Sequence, residues 1–392
     1  MPTATVTIIQ LATSTSEPAT IADPGQSAEL VEQGDKFLAQ RDYESALEAY
    51  NLAIELDPEN AVAYNQRGQM HFGGSPVSPG SGVMLADFNK AIELDHEYVA
   101  ARINRSRVLI NIGRAEDAIE ELTFALTLES ENAEIFYYRA LAYRSLDDFE
   151  NAIKDFDQAI LLENDFFAAY NGRANIQVNL GNFEKAILDY DTALSLFPNF
   201  TDGYISRGVT HFELDNADAA LSDFDAAIQL DPLFNRAYFE RGRVHYALGN
   251  YHLAIDDFDM VESIGFNSTS PYILWGGNEF MRGLAHLALK EYNLAIADLN
   301  RAIEYESNNS EAYRGRGEAY FGLGNFEAAL ENYDVALQLD EQNALVYFNR
   351  GLTYEALGQT PNAVADYEQY LDVGMDPELR NIAESRLKEL TD

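Results

Sequence analysis

Small and large apolar residues recur at helical spacing through most of the chain, and the whole pattern then returns. Gly34, Gly68, Ser106, Ala140, Ala174, Gly208, Gly242, Gly283, Gly317 and Gly351 follow one another at 34 residues in seven of nine steps. The other two steps are 38 and 41 residues. Taking this small residue as position 8 gives ten units: 27–60, 61–98, 99–132, 133–166, 167–200, 201–234, 235–275, 276–309, 310–343 and 344–377. Position 20 is Ala in nine units, with Met84 the exception, and position 27 is Ala in eight, where Val261 and Tyr370 depart. Position 24 is always large, as in Tyr50, Phe156 and Phe258. Positions 20, 24 and 27 lie on one face of a helix, and positions 4, 8 and 11 form the matching face of an earlier one. Gly113, Gly181, Gly249, Gly324 and Gly358 stand at position 15, where a helix C-terminus favours a left-handed residue. The spacing therefore predicts two antiparallel helices of about 13 residues per unit, each roughly 20 Å long.

The ends depart from the period. Residues 1–26 hold no Lys or Arg and are rich in Thr, Ser, Ala and Pro, which predicts a disordered tether. Val6–Ala12 is too short and too polar for a secretory signal core. A Thr/Pro-rich tether favours an extracytoplasmic, secreted or surface-attached setting. At the other end Asp376, Pro377 and Glu378 open a helix over 376–392 whose Ile382, Leu387 and Leu390 form an apolar stripe. Such a helix would cap the stack. Two insertions interrupt the array. Gly73–Gly82 lengthens the turn of the second unit. Ser270-Pro271 predicts an early start for the first helix of the eighth, at Tyr272–Trp275.

These residues resemble the tetratricopeptide repeat (TPR), with ten units in phase over about nine-tenths of the chain. Arg102 and Glu279 depart from the aromatic residue usual at position 4. The resemblance implies an all-α, right-handed superhelical solenoid whose first helices line a concave groove. It also implies binding of proteins or peptides, with no catalytic residues belonging to the family.

Composition narrows the chemistry. The 392 residues carry 26 Lys and Arg against 65 Asp and Glu, a formal charge of -39, and no Cys. Thiolate chemistry is excluded, and a nucleic-acid surface is disfavoured because phosphate neutralisation needs a basic patch. No apolar run reaches membrane-span length. No HExxH, calcium loop, phosphate loop or GxSxG motif occurs. Four of the six His, including His245, fall at position 11 and are read as packed against the second helix. No cofactor and no metal are implied, and nothing indicates self-association.

Position 7 is Arg in nine units, from Arg67 to Arg350, and position 23 of the same units is Asp, Glu or, once, Asn332. The first unit has neither, carrying Gln33 and Ala49. We expect a structural ion pair between the two helices of each unit, since Arg holds a carboxylate bidentately at low hydration cost. By the TPR resemblance, positions 2, 5, 9 and 12 point into the groove. Four Arg then face inward despite the negative chain: Arg107, Arg144, Arg243 and Arg314. Asn171 and Asn175 are one turn apart, so their amides share a face suited to an extended backbone. The expected peptide site is Arg107, Tyr137, Arg144, Asn171 and Asn175, with Trp275, Phe239 and Arg243 as a second contact. Position 5 is never Lys, so the lysine clamp of chaperone-tail-binding TPR domains is absent. The function expected is a non-catalytic protein- or peptide-binding scaffold. The alternative is a recruitment or regulatory subunit whose enzyme is another chain. An acidic mimic of nucleic acid would instead bind basic proteins in a salt-sensitive way.

Overall fold

A computed structural model of the chain describes residues 23–73, 80–265 and 276–391. Among these residues it contains 21 α-helices and no strand, arranged in antiparallel pairs. Residue contacts divide the chain into two units, Met1–Ile176 and Gln177–Asp392. The first holds α1 (Pro24–Ala39), α2 (Tyr43–Leu56), α3 (Ala61–Gln69), α4 (Ser81–Leu94), α5 (Val99–Asn111), α6 (Ala115–Leu128), α7 (Ala133–Ser145), α8 (Phe149–Leu162) and most of α9 (Phe167–Asn179). The second holds α10 (Phe183–Leu196), α11 (Thr201–Glu213), α12 (Ala217–Leu230), α13 (Asn235–Ala247), α14 (Tyr251–Ile264), α15 (Gly277–Ala288) and α16 (Tyr292–Tyr305). It continues with α17 (Ser310–Gly322), α18 (Phe326–Leu339), α19 (Ala344–Ala356), α20 (Thr360–Val373) and α21 (Pro377–Thr391).

Each pair is built as the period predicts. The position-24 ring lies over the position-8 glycine so closely that a Cβ there would meet it. That Cβ would sit 2.5 Å from Tyr50 at Gly34, 2.8 Å from Phe258 at Gly242 and 2.6 Å from Tyr333 at Gly317. Ala140 already carries a Cβ, and Phe156 instead presses on Gly172 of the next repeat, 2.4 Å from where a Cβ would stand. The turn between paired helices is left-handed at position 15 in every described repeat. Gly113, Gly181, Gly249, Gly324 and Gly358 have φ of 69–77°, and Arg41, Asp147, Asp215 and Lys290 take the same conformation without glycine. The turn is closed by a backbone bond such as Asn250 N–H to His245 O, 2.8 Å. Second helices open on side-chain caps, among them Asp42, Asp148 and Asn325.

Four details differ from expectation. Helix α1 starts at Pro24 rather than 27, because Asp23 caps it and accepts from Gln26 N–H. The first helix of the second repeat is short, ending in a 3-10 turn at Met70–Gly73 ahead of the Gly-rich insertion. The terminal helix α21 is capped by Asp376, as expected. Its packed stripe is Leu379, Ala383, Leu387 and Leu390 against Tyr367 and Tyr370, however, and Ile382 faces solvent. Finally, position 5 is largely a packing position: Asn65, Ile103, Ile205, Phe239 and Phe348 are buried. Consecutive first helices touch, as α5 does α7 and α11 does α13, so the side chain at position 5 is caught between them. The expected early helical turn at Tyr272–Trp275 and most of the Gly73–Gly82 insertion lie outside the described residues.

Candidate functional site

Most of the cations are consumed by the scaffold. Six of the position-7 arginines hold their own repeat's Asp through Nε and Nη2 at 2.6–3.0 Å: Arg67, Arg139, Arg207, Arg241, Arg282 and Arg350. Arg316 bonds Asn332 Oδ1 instead, at 2.7 Å. Arg105 pairs with Glu121, which Arg102 shares. Arg102, a departure from the usual aromatic, also donates to the His96 carbonyl and covers the Phe124 ring. The guanidinium has a further arm. Nη1 donates to position 25 of the preceding repeat: Asn51, Asn89, Thr123, Asp157, Asp191, Asp225, Asp259, Asn300 and Asp334, at 2.5–3.2 Å. Eight of these arginines thus tie three helices, and the ladder joins repeats as well as halves of one repeat.

Positions 9 and 12 of the first helices are half-exposed in every repeat from the second to the tenth. Arg107, at position 9 on α5, has its guanidinium 4.1 Å from the Phe72 ring centroid and 5.2 Å from that of Tyr138. It spends one N–H on Asn104 Oδ1, 3.3 Å away. Tyr137 on α7 is held by Phe166, Tyr138 and Phe156, with centroids at 4.9, 5.1 and 5.9 Å. Burial pushes its phenol pKa up, and the nearby guanidiniums of Arg144 and Arg107 pull against that shift. Arg107, Tyr137 and Arg144 therefore share one electrostatic neighbourhood. Burial likewise raises the Glu134 carboxyl at its edge, which Arg107 partly offsets. Asn171 and Asn175 lie one turn apart on α9, both half-buried, and Asn171 Oδ1 is buried without a donor.

The second contact fares differently. Phe239 is 5% exposed and packs on Phe258, with centroids 6.0 Å apart, so its ring is core and not a groove surface. Arg243 is paired with Glu240 on its own helix, 2.7 Å away. Trp275 lies outside the described residues. Among the described residues no group of three or more His, Cys, Asp or Glu could hold a metal ion. No helix there is long and apolar enough to cross a membrane. His245 sits at position 11 with a buried, unpartnered Nδ1, and burial lowers its pKa.

Sequence profiles described as "Tetratricopeptide repeat" match residues 103–166, 167–200, 205–265 and 344–373, and one described as "TPR repeat" matches 34–73, 283–324 and 317–358. The chain belongs to the tetratricopeptide-repeat family. Among curated relatives it is 30% identical over 96 residues to human serine/threonine-protein phosphatase 5, which is 24% of this chain and 18% of that protein. It is 31% identical over 105 residues to bovine DnaJ homolog subfamily C member 3, which is 26% of this chain and 20% of that one. The chain thus spans about a fifth of the length of these relatives. The solved structure of the APC/C hetero-tetramer Cut9-Hcn1 superimposes with a TM-score of 0.55 at 16% identity, covering 85% of this chain and 77% of that one. This last likeness shows the TPR fold alone. As a TPR array the protein is a protein-interaction scaffold.

Two features of this TPR chain are not evident in its sequence pattern. The third arm of the ladder did leave a trace: position 25 carries an oxygen acceptor in each of the first nine repeats. The burial of position 5 left none, because the groove assignment there came from resemblance rather than from the spacing of residues.

Proposed function

We propose that this protein is a non-catalytic scaffold that holds an extended protein segment against the first helices of residues 99–176. One observation carries the reading. Positions 8, 20, 24 and 27 recur because they pack, and position 7 recurs because it forms the ladder. Positions 9 and 12 stay half-exposed while their chemistry changes from repeat to repeat. In α5, α7 and α9 they run Arg107, Ile110, Leu141, Arg144, Asn175 and Val178. Half-buried aromatic and Arg side chains are common anchors of binding surfaces.

The test is affinity capture from native lysate and envelope fractions, wild type beside a variant with Tyr137, Arg144, Asn171 and Asn175 all changed to Ala. Helicity and melting of the variant are checked first. A partner lost with the variant supports the groove, and partners retained in full overturn it. The alignment with a segment of a protein phosphatase favours a second reading, recruitment for an enzyme on another chain. An enzyme activity that co-purifies with the wild type would distinguish it.

A further inference from the structure

A relay of side-chain amides crosses the first three repeats. Asp35, on α1, accepts at Oδ1 from the Tyr50 hydroxyl at 2.7 Å and from Gln66 Nε2 at 2.8 Å. Gln66 Oε1 accepts from Asn65 Nδ2 at 3.2 Å, and Asn65 Oδ1 from Asn104 Nδ2 at 3.0 Å. Asn104 Oδ1 in turn accepts from Arg107 Nη1 at 3.3 Å. Asn65 and Asn104 are buried, so water does not readily replace these bonds. Burial raises the Tyr98 phenol pKa, and a hydrogen bond from Asn65 pulls against it, which places that hydroxyl beside the relay.

The two ends fix every link. A carboxylate only accepts and a guanidinium only donates. Each amide between them must turn its oxygen toward Arg107 and its nitrogen toward Asp35. Turning any one would set oxygen against oxygen in a buried site. All four bonds from Arg107 to Asp35 therefore donate in one direction, and each polarises the next. A shorter version occurs in the second unit, where Asn349 on α19 donates to Glu318 and Arg314 meets that carboxylate directly. In the first unit three amides separate acid from guanidinium, and the two charges belong to the first and third repeats. Arg107 has other neighbours. The Phe72 and Tyr138 rings lie beside its guanidinium, and its charge partly offsets the burial that raises the Glu134 carboxyl. Rings and a diffuse charge set where a guanidinium sits. A hydrogen bond sets how it is turned, and Asn104 supplies it.

We infer that Asp35 is a positioning residue for the groove: through Gln66, Asn65 and Asn104 it orients the oxygen on which the Arg107 guanidinium is set. The inference rests on the groove reading above only for the use a partner makes of Arg107.

The test is NMR of the full chain carrying isotope-labelled arginine, with no partner present. Arg107→Lys assigns the Arg107 side-chain signals, and the readout is exchange of its Nη hydrogens with water. Asn104→Ala removes the bond itself and should speed that exchange about fivefold. Asp35→Ala and Gln66→Leu should each speed it about twofold or more, although neither residue touches Arg107. Asp35→Asn keeps an oxygen acceptor and should return the wild-type rate. Tyr50→Phe removes a donor to Asp35 from outside the relay. It should quicken amide exchange in α1 and α2 and leave Arg107 unchanged. Gln66→Leu stands in for Asp35→Ala if that variant does not fold. Three outcomes overturn the inference. In one, Asn104→Ala shifts the Arg107 signals while Asp35→Ala and Gln66→Leu stay within about a fifth of the wild-type rate. In another, Tyr50→Phe speeds Arg107 as much as Asp35→Ala, which would make Asp35 merely structural. In the third, Asn104→Ala itself has no effect. A partner lost by the four-alanine variant beside any of these keeps the groove reading and sinks the relay, and the NMR result stands whether or not the capture succeeds.

Discussion

Replacing Arg241 by Ala strips the buried Asp257 carboxylate of two N–H donors, at 3.0 and 2.6 Å. Asp257 is 3% exposed, so water does not reach it freely. Removing one member of a buried pair costs about 3–5 kcal/mol, and the partial exposure of the Arg241 side chain, 23%, points to the lower end. The arm to Asp225 contributes less than about 1 kcal/mol, since that carboxylate is 63% exposed. We therefore expect a loss of about 3 kcal/mol, centred on α13 and α14. A repeat array does not unfold as one two-state body, so the assay is local: amide hydrogen exchange across residues 235–264. About 3 kcal/mol corresponds to exchange roughly 100-fold faster there. The double variant R241A/D257A should be more stable than R241A alone, because no unpaired charge is left behind. The first repeat already lives this way, with Gln33 and Ala49 in the two positions. An exchange rate within threefold of wild type for R241A, or a double variant worse than the single, would refute the reasoning.

Three further substitutions follow from the same geometry. Gly317→Ala would place a Cβ 2.6 Å from the Tyr333 ring and should cost about 1–3 kcal/mol, read as faster amide exchange across α17 and α18, whereas unchanged exchange there would mean that the ring moves freely. Lys290→Gly relieves a left-handed side-chain residue at φ 62° and should stabilise by about 0.5–1 kcal/mol, read as slower exchange in α15 and α16. Glu279 is buried with Oε2 unpartnered, and burial raises its pKa above the ordinary carboxylate value. A raised folded pKa favours the native state at low pH and loses that contribution as pH rises through it. Glu279→Gln should therefore raise the melting temperature at pH 7, and the gain should vanish as pH falls below about 4.5. A gain that persists in acid would contradict this.

Most of the fold was legible in the chain because each repeat states the same packing rule again. Gly or Ala opposite a ring, Ala at two further contact points and a left-handed turn leave one solution when they recur ten times. The Arg–Asp pair was legible for the same reason, since the first repeat lacks both members, with Gln33 and Ala49 at positions 7 and 23. Contacts between repeats were harder to read. The arm from Arg241 to Asp225 spans the same 16 residues as the pair with Asp257 but runs back into the preceding repeat, and Asp at position 25 looks like any solvated acid. Phe239 was misplaced because an aromatic residue at position 5 suits a groove and a helix seam equally. The left-handed Lys290 and Asp147 show that glycine marks this turn only where backbone freedom was kept; closure by the flanking helices imposes it elsewhere. Arg107 and Arg144 were expected to face the groove by resemblance, and both are half-buried. That neither forms an ion pair among the described residues needed the coordinates, because with 65 acids a partner for either was to be expected.

The central claim is that partners bind on the first helices of residues 99–176. The direct measurement is amide hydrogen exchange of the full chain, alone and with the captured partner bound. Slowed exchange is expected in α5 and α7, around Arg107 and Tyr137–Arg144, with α6 and α8 unchanged. Protection confined to α6 and α8, with α5 and α7 unaltered, would contradict it.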